Sequence, residues 1–326
     1  MNIFKVKFLI FATFVSILMS NKVNAKYIFV SNENSDTVTV LNSADKKIIK
    51  TIKTGGRPRD IKISNDKSKI YVVVSEENHI VEIDISNLEI VNYIESGDDP
   101  EIFDISPDGH ILAVSNEDDN ELTIIDIKNR KKIAIIENVG VEPEGVNFSL
   151  DGKYIFVTSE GTNSVIVIDV KQKKIINEIL VGNRPRRGIL TKNGEEYWVS
   201  NELNGSVTII STKTFDILRN IKFTIKGIRD QNITPVDFAY SEKNNKVYVT
   251  LGSANYVAVI NSLNYKIENY ILAGSRVWGA ALTKNEKQLI VTNGNSDDIS
   301  IIDLQKNITI SSIPVGKTPH TVRVIK

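Results

Sequence analysis

The sequence predicts an all-β fold, a seven-bladed β-propeller whose blades are four-stranded antiparallel sheets. A Gly-x-x-Pro motif or its remnant recurs with a period of about 42 residues. Within each repeat, short runs rich in Ile and Val alternate with turn residues, which is typical of antiparallel strands. One repeat is divided between the two ends of the chain. A closed ring explains this division, because the divided repeat would close the ring, whereas a linear array has no need of it.

The clearest repeat runs from residue 97 to residue 138 and contains four short apolar runs. The turn Pro107-Asp108-Gly109 separates the first two runs, since Asp caps a turn and Gly adopts positive φ there. A single sheet of this kind cannot bury both of its faces. We therefore expect each repeat to stack on its neighbours.

The blades begin near residues 55, 97, 140, 182, 232 and 274, and a last repeat begins at residue 316. The long step before residue 232 holds an insertion around residues 224–231. Residues 316–326 suffice for one strand, while residues 26–54 have the pattern of three strands without a first. We expect these N- and C-terminal segments to pair in the last blade and close the ring, which removes exposed sheet edges.

Residues 1–25 have the pattern of a secretory signal peptide. Lys5 and Lys7 precede an apolar run from residue 8 to residue 19, and Val23-Asn24-Ala25 offers a cleavage site. The run is short of the ~20 residues that span a bilayer. The sequence therefore predicts a periplasmic protein that is not inserted in the membrane after cleavage, with residues 26–326 as one propeller domain.

Composition excludes several classes of function. The chain has no cysteine, which excludes disulfides, thiolate metal sites and cysteine nucleophiles. Its 40 Lys and Arg residues balance 40 Asp and Glu residues. This balance gives no support for a nucleic acid or an anionic membrane as partner. We expect a monomer.

A Tyr/Leu-x-Val-Ser/Thr-Asn signature in the second strand of the repeats resembles the YVTN-family β-propeller repeat. It occurs at residues 28–32, 112–116, 197–201 and 289–293, and the resemblance covers essentially the whole mature chain. The motifs at residues 55–59, 100–103, 115–120, 141–145, 184–186 and 276–278 resemble those of the periplasmic propellers associated with PQQ-dependent alcohol catabolism. That resemblance implies an accessory role, with a quinoprotein dehydrogenase or a transport component as partner. More distantly, YVTN repeats are similar to propeller domains of haem nitrite reductase and of the quinoprotein amine dehydrogenase.

One face of the predicted disc concentrates residues that the scaffold does not need. The loops that enter the first strands and the loops between second and third strands open on the same side. Arginine is frequent there, and its planar fork suits carboxylates and aromatic rings. We expect a ligand or partner site at this channel mouth, formed by Arg57, Arg59, Glu101, Glu144, Arg184, Arg186, Arg276, Trp278 and His320.

Two interpretations of this face remain open. In the first, the arginines bind a small polyanion and Trp278 forms a stacking wall; PQQ, a quinone with several carboxylates, is the candidate cofactor. In the second, the arginines pair with acidic residues of neighbouring blades, as Arg59 with Glu101 and Arg186 with Glu144. Mixed-sign rims are commonly of this second kind, and each exposed pair contributes little.

Metal binding and catalysis have little support in the sequence. Ca²⁺ at residues 116–120 is disfavoured, because no EF-hand spacing is present. Of three histidines, only His320 is expected on an inner strand near the mouth, where it is the sole candidate axial ligand for a haem. No catalytic or metal-ligating residue is predicted. A binding module is favoured, and the alternative is an oxidoreductase or lactonase-like enzyme that uses the same mouth with a cofactor or metal.

Overall fold

The structure is a computed structural model that describes residues 27–325. The predicted signal peptide at residues 1–25 lies outside these residues. In the part of the chain that is described, no helix has the length and apolar character needed to cross a membrane.

Seven four-stranded antiparallel sheets form the molecule, which confirms the predicted fold class. In six sheets the four strands follow one another in chain order, and in the seventh the last strand of the chain lies beside the first three. Blade 1 contains β4 (Pro58–Ile63), β5 (Lys69–Val74), β6 (His79–Asp84) and β7 (Glu89–Glu95). Blade 2 contains β8 (Pro100–Ile105), β9 (Ile111–Asn116), β10 (Glu121–Asp126) and β11 (Lys131–Glu137). Blade 3 contains β12 (Pro143–Phe148), β13 (Tyr154–Ser159), β14 (Ser164–Asp169) and β15 (Lys174–Leu180).

The next three blades repeat this arrangement. Blade 4 contains β16 (Pro185–Thr191), β17 (Glu196–Asn201), β18 (Ser206–Ser211) and β19 (Ile217–Lys222). Blade 5 contains β20 (Phe238–Ser241), β21 (Lys246–Thr250), β22 (Tyr256–Asn261) and β23 (Ile267–Leu272). Blade 6 contains β24 (Val277–Leu282), β25 (Gln288–Asn293), β26 (Asp298–Asp303) and β27 (Ile308–Pro314). Short 3₁₀ turns lie at Glu33–Ser35, Ser75–Glu77, Lys192–Gly194 and Asp230–Asn232.

The seventh blade joins the two ends of the chain, as predicted. It contains β28 (Pro319–Val324) on the inside, followed outward by β1 (Tyr27–Asn32), β2 (Thr37–Asn42) and β3 (Ile48–Lys53). Strands β1 and β28 are antiparallel, with Val30 opposite Val322 and Ile28 opposite Val324. The C-terminal segment therefore supplies the innermost strand that the N-terminal segment lacks.

The apolar core lies between the blades. Second strands such as β5 and β13 are buried along almost their whole length, because both faces of each strand meet a neighbouring blade. This explains their continuous Ile, Val and Phe content. The outermost strands bury only scattered residues, so their pattern is largely polar or exposed.

Hydroxyl groups of the second strands connect consecutive blades. Ser31 Oγ donates to the Arg59 carbonyl at 2.6 Å, Ser115 Oγ to the Glu144 carbonyl at 2.6 Å. Thr158, Ser200 and Thr292 make the corresponding bonds to Arg186, Val236 and His320. The Ser or Thr of the repeat signature thus fixes the beginning of the inner strand in the following blade, where the candidate site residues lie.

The Asn of the same signature anchors the Gly of the Gly-x-x-Pro loop within its own blade. Asn201 Oδ1 accepts from the Gly182 amide at 3.1 Å, and Asn32 Oδ1 accepts from the Gly316 amide at 3.1 Å. A Cβ added at Gly182 would lie 2.7 Å from Asn201 Cβ. Glycine is therefore required at this position by close contact with the asparagine rather than by its backbone angles.

Candidate functional site

The rim of the channel mouth is formed by the residues that directly precede the inner strands. In six blades this residue adopts the left-handed region. The six are Arg57 (φ 54°), Asp99 (43°), Glu142 (54°), Arg184 (54°), Arg276 (57°) and Thr318 (50°). Because the six residues share this backbone conformation, their side chains leave the backbone at equivalent positions around the mouth. Each inner strand of these blades begins with a Pro or a Val, and the residue that follows it lies one layer deeper in the mouth.

Arg59 lies at the centre of an acidic group contributed by several blades. Its Nη1 is 3.1 Å from Glu33 Oε1, and its Nη2 is 3.8 Å from Glu144 Oε2 and also pairs with Glu101. Burial disfavours the charge on Arg59, but Glu101, Glu144 and Glu33 hold the pKa of its guanidinium above its ordinary value. Arg59 therefore remains a cation although its side chain is only 7 % exposed.

Arg186 holds an equivalent place on the other side of the mouth. Its Nη2 is 3.0 Å from Glu144 Oε1, and its Nη1 pairs with Glu160. The Arg59–Glu101 and Arg186–Glu144 pairs expected from the sequence are thus both present. Glu144 connects the two arginines. Although burial opposes its charge, Arg186 and Arg59 hold the pKa of this carboxyl below its usual range.

The arginines of the rim are more accessible than these two. The side chain of Arg184 is 45 % exposed and contacts Glu160 Oε2 at 2.6 Å. That of Arg57 is 33 % exposed, and its three contacts with carboxylates are all 3.4–3.5 Å long. The deeper arginines are therefore neutralised within the protein, while the rim arginines remain in reach of a ligand.

Blades 2 and 3 give the mouth an acidic sector. One carboxylate oxygen from each of Asp99, Glu101 and Glu117 lies within 4.8 Å of the other two. Burial raises the pKa of Glu117 to about 7, with Glu144, Glu160 and Asp99 adding to the effect. Burial likewise raises the pKa values of Glu101 and Asp99. Glu117 is therefore partly protonated near neutral pH, which relieves part of the negative charge of this sector.

The opposite sector, in blades 6 and 7, is rich in donors. The guanidinium of Arg276 lies over the Trp278 ring, 4.8 Å from its centroid, and makes no ion pair with any described residue. The Trp278 ring contacts the His320 ring with centroids 4.8 Å apart. Trp278 Nε1 and His320 Nε2 are buried and make no hydrogen bond within residues 27–325. This sector thus combines a free cation with two unsatisfied ring nitrogens.

The protonation state of His320 follows from its surroundings. Burial lowers the pKa of its imidazole well below the usual range, and Arg59, Arg187 and Arg186 lower it further. The ring is therefore neutral. Nδ1 lies 3.3 Å from Arg187 Nη2, and because an arginine only donates, Nδ1 must accept. The single proton is then on Nε2, which makes that nitrogen a buried donor.

The nine predicted site residues fall into two adjoining groups. Six of them form one ion-pair network: Arg57, Arg59, Glu101, Glu144, Arg184 and Arg186. The other three form the donor-rich sector: Arg276, Trp278 and His320. Whether they bind a ligand stays a prediction. The first interpretation, in which the arginines form a pocket for a small polyanion, therefore also stays a prediction, and in the structure Arg59 and Arg186 are paired with carboxylates.

Some members of the site were not identified from the sequence. Glu33, Glu160 and Glu202 are not among the nine residues predicted for the site, although they complete the pairs of the arginines. Asp237 was missed, and it lies in the blade whose Gly-x-x-Pro motif has lost its Gly. Asp237 Oδ2 binds Arg187 Nη1 at 3.1 Å and the Ala280 amide at 3.2 Å. The repeat could have revealed it, because Asp237 follows Pro235 by two residues, just as Arg187 follows Pro185.

Two family models match the chain. The model described as YNCE-like beta-propeller matches residues 15–149. The model described as Cytochrome D1 heme domain matches residues 109–326, about two thirds of the chain. A comparison with curated proteins returns no match.

Several solved structures are similar to this one. Hydrazine synthase of Kuenenia stuttgartiensis is 19% identical over 84% of this chain and 91% of its own, with a TM-score of 0.76. The periplasmic gluconolactonase PpgL of Pseudomonas aeruginosa is 16% identical over 92% and 99%, with a TM-score of 0.77. The dihydro-heme d1 dehydrogenase NirN, in complex with DHE, is 14% identical over 92% and 75%, with a TM-score of 0.70. At such identities these structures support the fold alone.

Proposed function

The chain belongs to the Cytochrome D1 heme domain family, and from this premise and the geometry of the mouth we propose that it binds a planar ligand bearing carboxylate groups. A haem-type macrocycle and a quinone with several carboxylates, such as PQQ, share this chemistry. The proposed role is that of a periplasmic accessory protein, a binding propeller that serves a quinoprotein oxidation system.

The donor-rich sector carries this proposal. Arg276 is a cation without an ion pair among the described residues, and its planar group suits a carboxylate. Trp278 Nε1 and His320 Nε2 are buried donors that have no acceptor in the described part of the chain, and such groups are costly unless something satisfies them. The indole ring adds a flat apolar surface next to them. A carboxylate on an aromatic plate meets all of these requirements.

Iron ligation by His320 does not fit this arrangement. Nδ1 already accepts from Arg187, and Nε2 carries the proton, so neither nitrogen has a free lone pair. A haem would supply redox or ligand-binding chemistry through its iron, but no residue of this sector is prepared to hold that iron. The proposal therefore rests on recognition of carboxylates, which both candidate ligands possess.

The test is calorimetric titration of the full-length mature protein with PQQ and, separately, with haem. We expect at least one of them to bind and Arg276→Gln to weaken its binding at least tenfold. Arg219→Gln is the matched control, because Arg219 also lies over an aromatic ring, 4.6 Å from the Tyr265 centroid, but on an outer strand. Its affinity should equal that of the wild type.

Each outcome has a defined meaning. Binding of PQQ alone supports the quinoprotein setting, and binding of haem alone supports a haem-handling role for the same sector. The proposal is wrong if neither ligand binds or if Arg276→Gln and Arg219→Gln bind alike. A haem absorption band that depends on His320 would overturn the assignment of Nε2 as a donor.

A protein partner and a periplasmic location belong to the same proposal. The resemblance of the blade motifs to PQQ-associated propellers supports them, and PpgL, one of the similar structures, is itself described as periplasmic. Co-purification from periplasm followed by mass spectrometry tests this part. Recovery of a quinoprotein dehydrogenase or a transport component, reduced in a variant with Arg57 and Arg184 replaced by Gln, is the expected result. Equal recovery with the variant would contradict binding at the mouth.

A lactonase-like hydrolase is the second candidate. One similar structure is a gluconolactonase, and burial raises the pKa of Glu117 at this mouth to about 7, where a carboxylate works well as a general base. Hydrolysis of gluconolactone above the spontaneous rate, abolished in Glu117→Gln, would support it. A rate equal to the spontaneous one would remove this candidate.

A further inference from the structure

A second cavity lies at the end of the channel opposite the mouth. Its volume is about 310 Å³, and it is lined by residues of the inner strands of six blades and by Asp237, directly before β20. The mouth residues lie at the beginnings of the same strands, so the two sites are at opposite ends. The Arg187–Asp237 ion pair, with Nη1 and Oδ2 3.1 Å apart, lies between them, because both residues occupy the middle layer of the channel.

One wall of the cavity carries two fixed cations. Arg323 Nη2 binds Asp60 Oδ1 at 2.9 Å, and Lys62 Nζ is 3.7 Å from Asp60 Oδ2. Asp60 is completely buried; burial would raise the pKa of its carboxyl, but Lys62, Arg323 and Arg187 keep it below the usual value. The ionised carboxylate therefore keeps both cations on the same wall. Arg323 is also 4.0 Å from Asp237.

Lys62 has capacity for a ligand. Its Nζ has two carboxylate neighbours, Asp104 Oδ1 at 3.2 Å and Asp60 Oδ2 at 3.7 Å, whereas an ammonium group has three protons to donate. Asp104 is partly engaged elsewhere, because its Oδ2 accepts from the Phe148 amide at 3.0 Å. Lys62 lines the cavity, so its ammonium group is a donor that a bound molecule can reach.

Asn147 supplies a third donor on the cavity wall. Its Oδ1 accepts from the Tyr197 hydroxyl at 3.0 Å, and this bond sets the orientation of the amide. Its Nδ2 has no hydrogen-bond partner in the described structure. The rest of the lining includes the apolar residues Ile189, Ala239 and Ala281, together with Asp237, whose carboxylate is paired with Arg187. The cavity therefore combines three donors with a small apolar surface.

We propose that this cavity binds a small monocarboxylate with a short aliphatic chain. The carboxylate contacts Lys62, Arg323 and Asn147, and the chain packs against Ile189, Ala239 and Ala281. Asp60, Asp104 and Asp237 balance the charges of Lys62, Arg187 and Arg323. Since the site has no excess positive charge, we expect the affinity to be about millimolar.

The test uses butyrate as probe and butyramide as its neutral counterpart, with binding followed by chemical shifts of the mature protein. Butyrate should bind, and butyramide should not. Lys62→Gln should weaken binding at least tenfold, whereas Lys132→Gln, which removes a lysine paired with Glu95 on an outer strand, should leave it unchanged. Ala281→Leu fills the cavity and should abolish binding even if Lys62→Gln proves unstable. Circular dichroism verifies the fold of each variant.

The proposal is overturned if butyrate does not bind, if butyramide binds equally well, or if binding is unchanged in the Ala281→Leu variant. The proposal is independent of the function assigned to the mouth. Arg276→Gln should bind butyrate normally, and Lys62→Gln should bind PQQ or haem as the wild type does. Loss of butyrate binding in Arg276→Gln, with retention in Lys62→Gln, would place the carboxylate at the mouth and contradict a second site.

Discussion

At the scale of single residues, burial decides what each charge at the mouth does. Arg59 and Arg186 are each 7 % exposed and are held by two or more carboxylates. Removing one partner of such a buried group costs much more than removing an exposed pair. Arg276, in contrast, has no ion pair among the described residues and remains available. Residue type alone would have made these three arginines equivalent.

Glu117 should make the stability of the protein depend on pH. Its pKa in the folded state, about 7, exceeds that of an unfolded glutamate, so the folded state retains a proton that the unfolded state releases. The free energy of unfolding should therefore fall as pH rises from about 4.5 to about 7. Glu117→Gln should remove this slope and raise stability at pH 8 by about 1–2 kcal/mol.

Urea unfolding of both proteins at pH 5 and pH 8 measures this difference. The variant and the wild type should be close in stability at pH 5, where the Glu117 carboxyl is protonated in the folded state. A variant that is less stable than the wild type at pH 8 would mean that Glu117 is ionised and bound by a cation.

At the scale of the repeat, one signature performs two tasks. Its Ser or Thr holds the next blade, and its Asn holds the Gly-x-x-Pro loop of its own blade. The loop in turn sets the left-handed rim residue that precedes each inner strand. The recurring sequence pattern thus places the rim side chains at equivalent positions, and the composition of the rim varies with the residue that each blade has there.

Gly182→Ala tests this arrangement. The new Cβ would lie 2.7 Å from Asn201 Cβ, and Asn201 is fixed by bonds to Gly182, Ser206 and Thr208. We expect a loss of about 2 kcal/mol in the free energy of unfolding, measured in urea. Gly294→Ala is the control, because its Cβ would come no closer than 3.2 Å to any atom. Equal losses in both variants would contradict a specific contact with Asn201.

At the scale of the whole molecule, the ring depends on strand β28. Ile325 donates its amide to the Tyr27 carbonyl at 3.1 Å, so the two described ends of the chain are adjacent. The same strand carries His320 to the mouth and Arg323 to the opposite cavity. Closure and both proposed sites therefore share one element.

Deletion of residues 319–326 should abolish cooperative unfolding and cause aggregation, because β1 would become an exposed edge. A circular permutant is the control: a short Gly/Ser linker joins residue 325 to residue 27, and new ends open between Lys128 and Asn129. It should unfold cooperatively, as seen by circular dichroism and size-exclusion chromatography. A truncated protein that remains monomeric and cooperative would show that closure is dispensable.

The sequence by itself determined the strands, their number in each blade and the closure of the ring, because turn chemistry and apolar periodicity are local and recur with every repeat. It also placed Arg59, Glu101, Glu144 and Arg186 on one face. Only the tertiary structure decided which cation meets which carboxylate and which is left free. The contact of Arg187 with His320 joins residues 133 positions apart, and a partnership of that kind arises from ring geometry and burial, which no local pattern encodes.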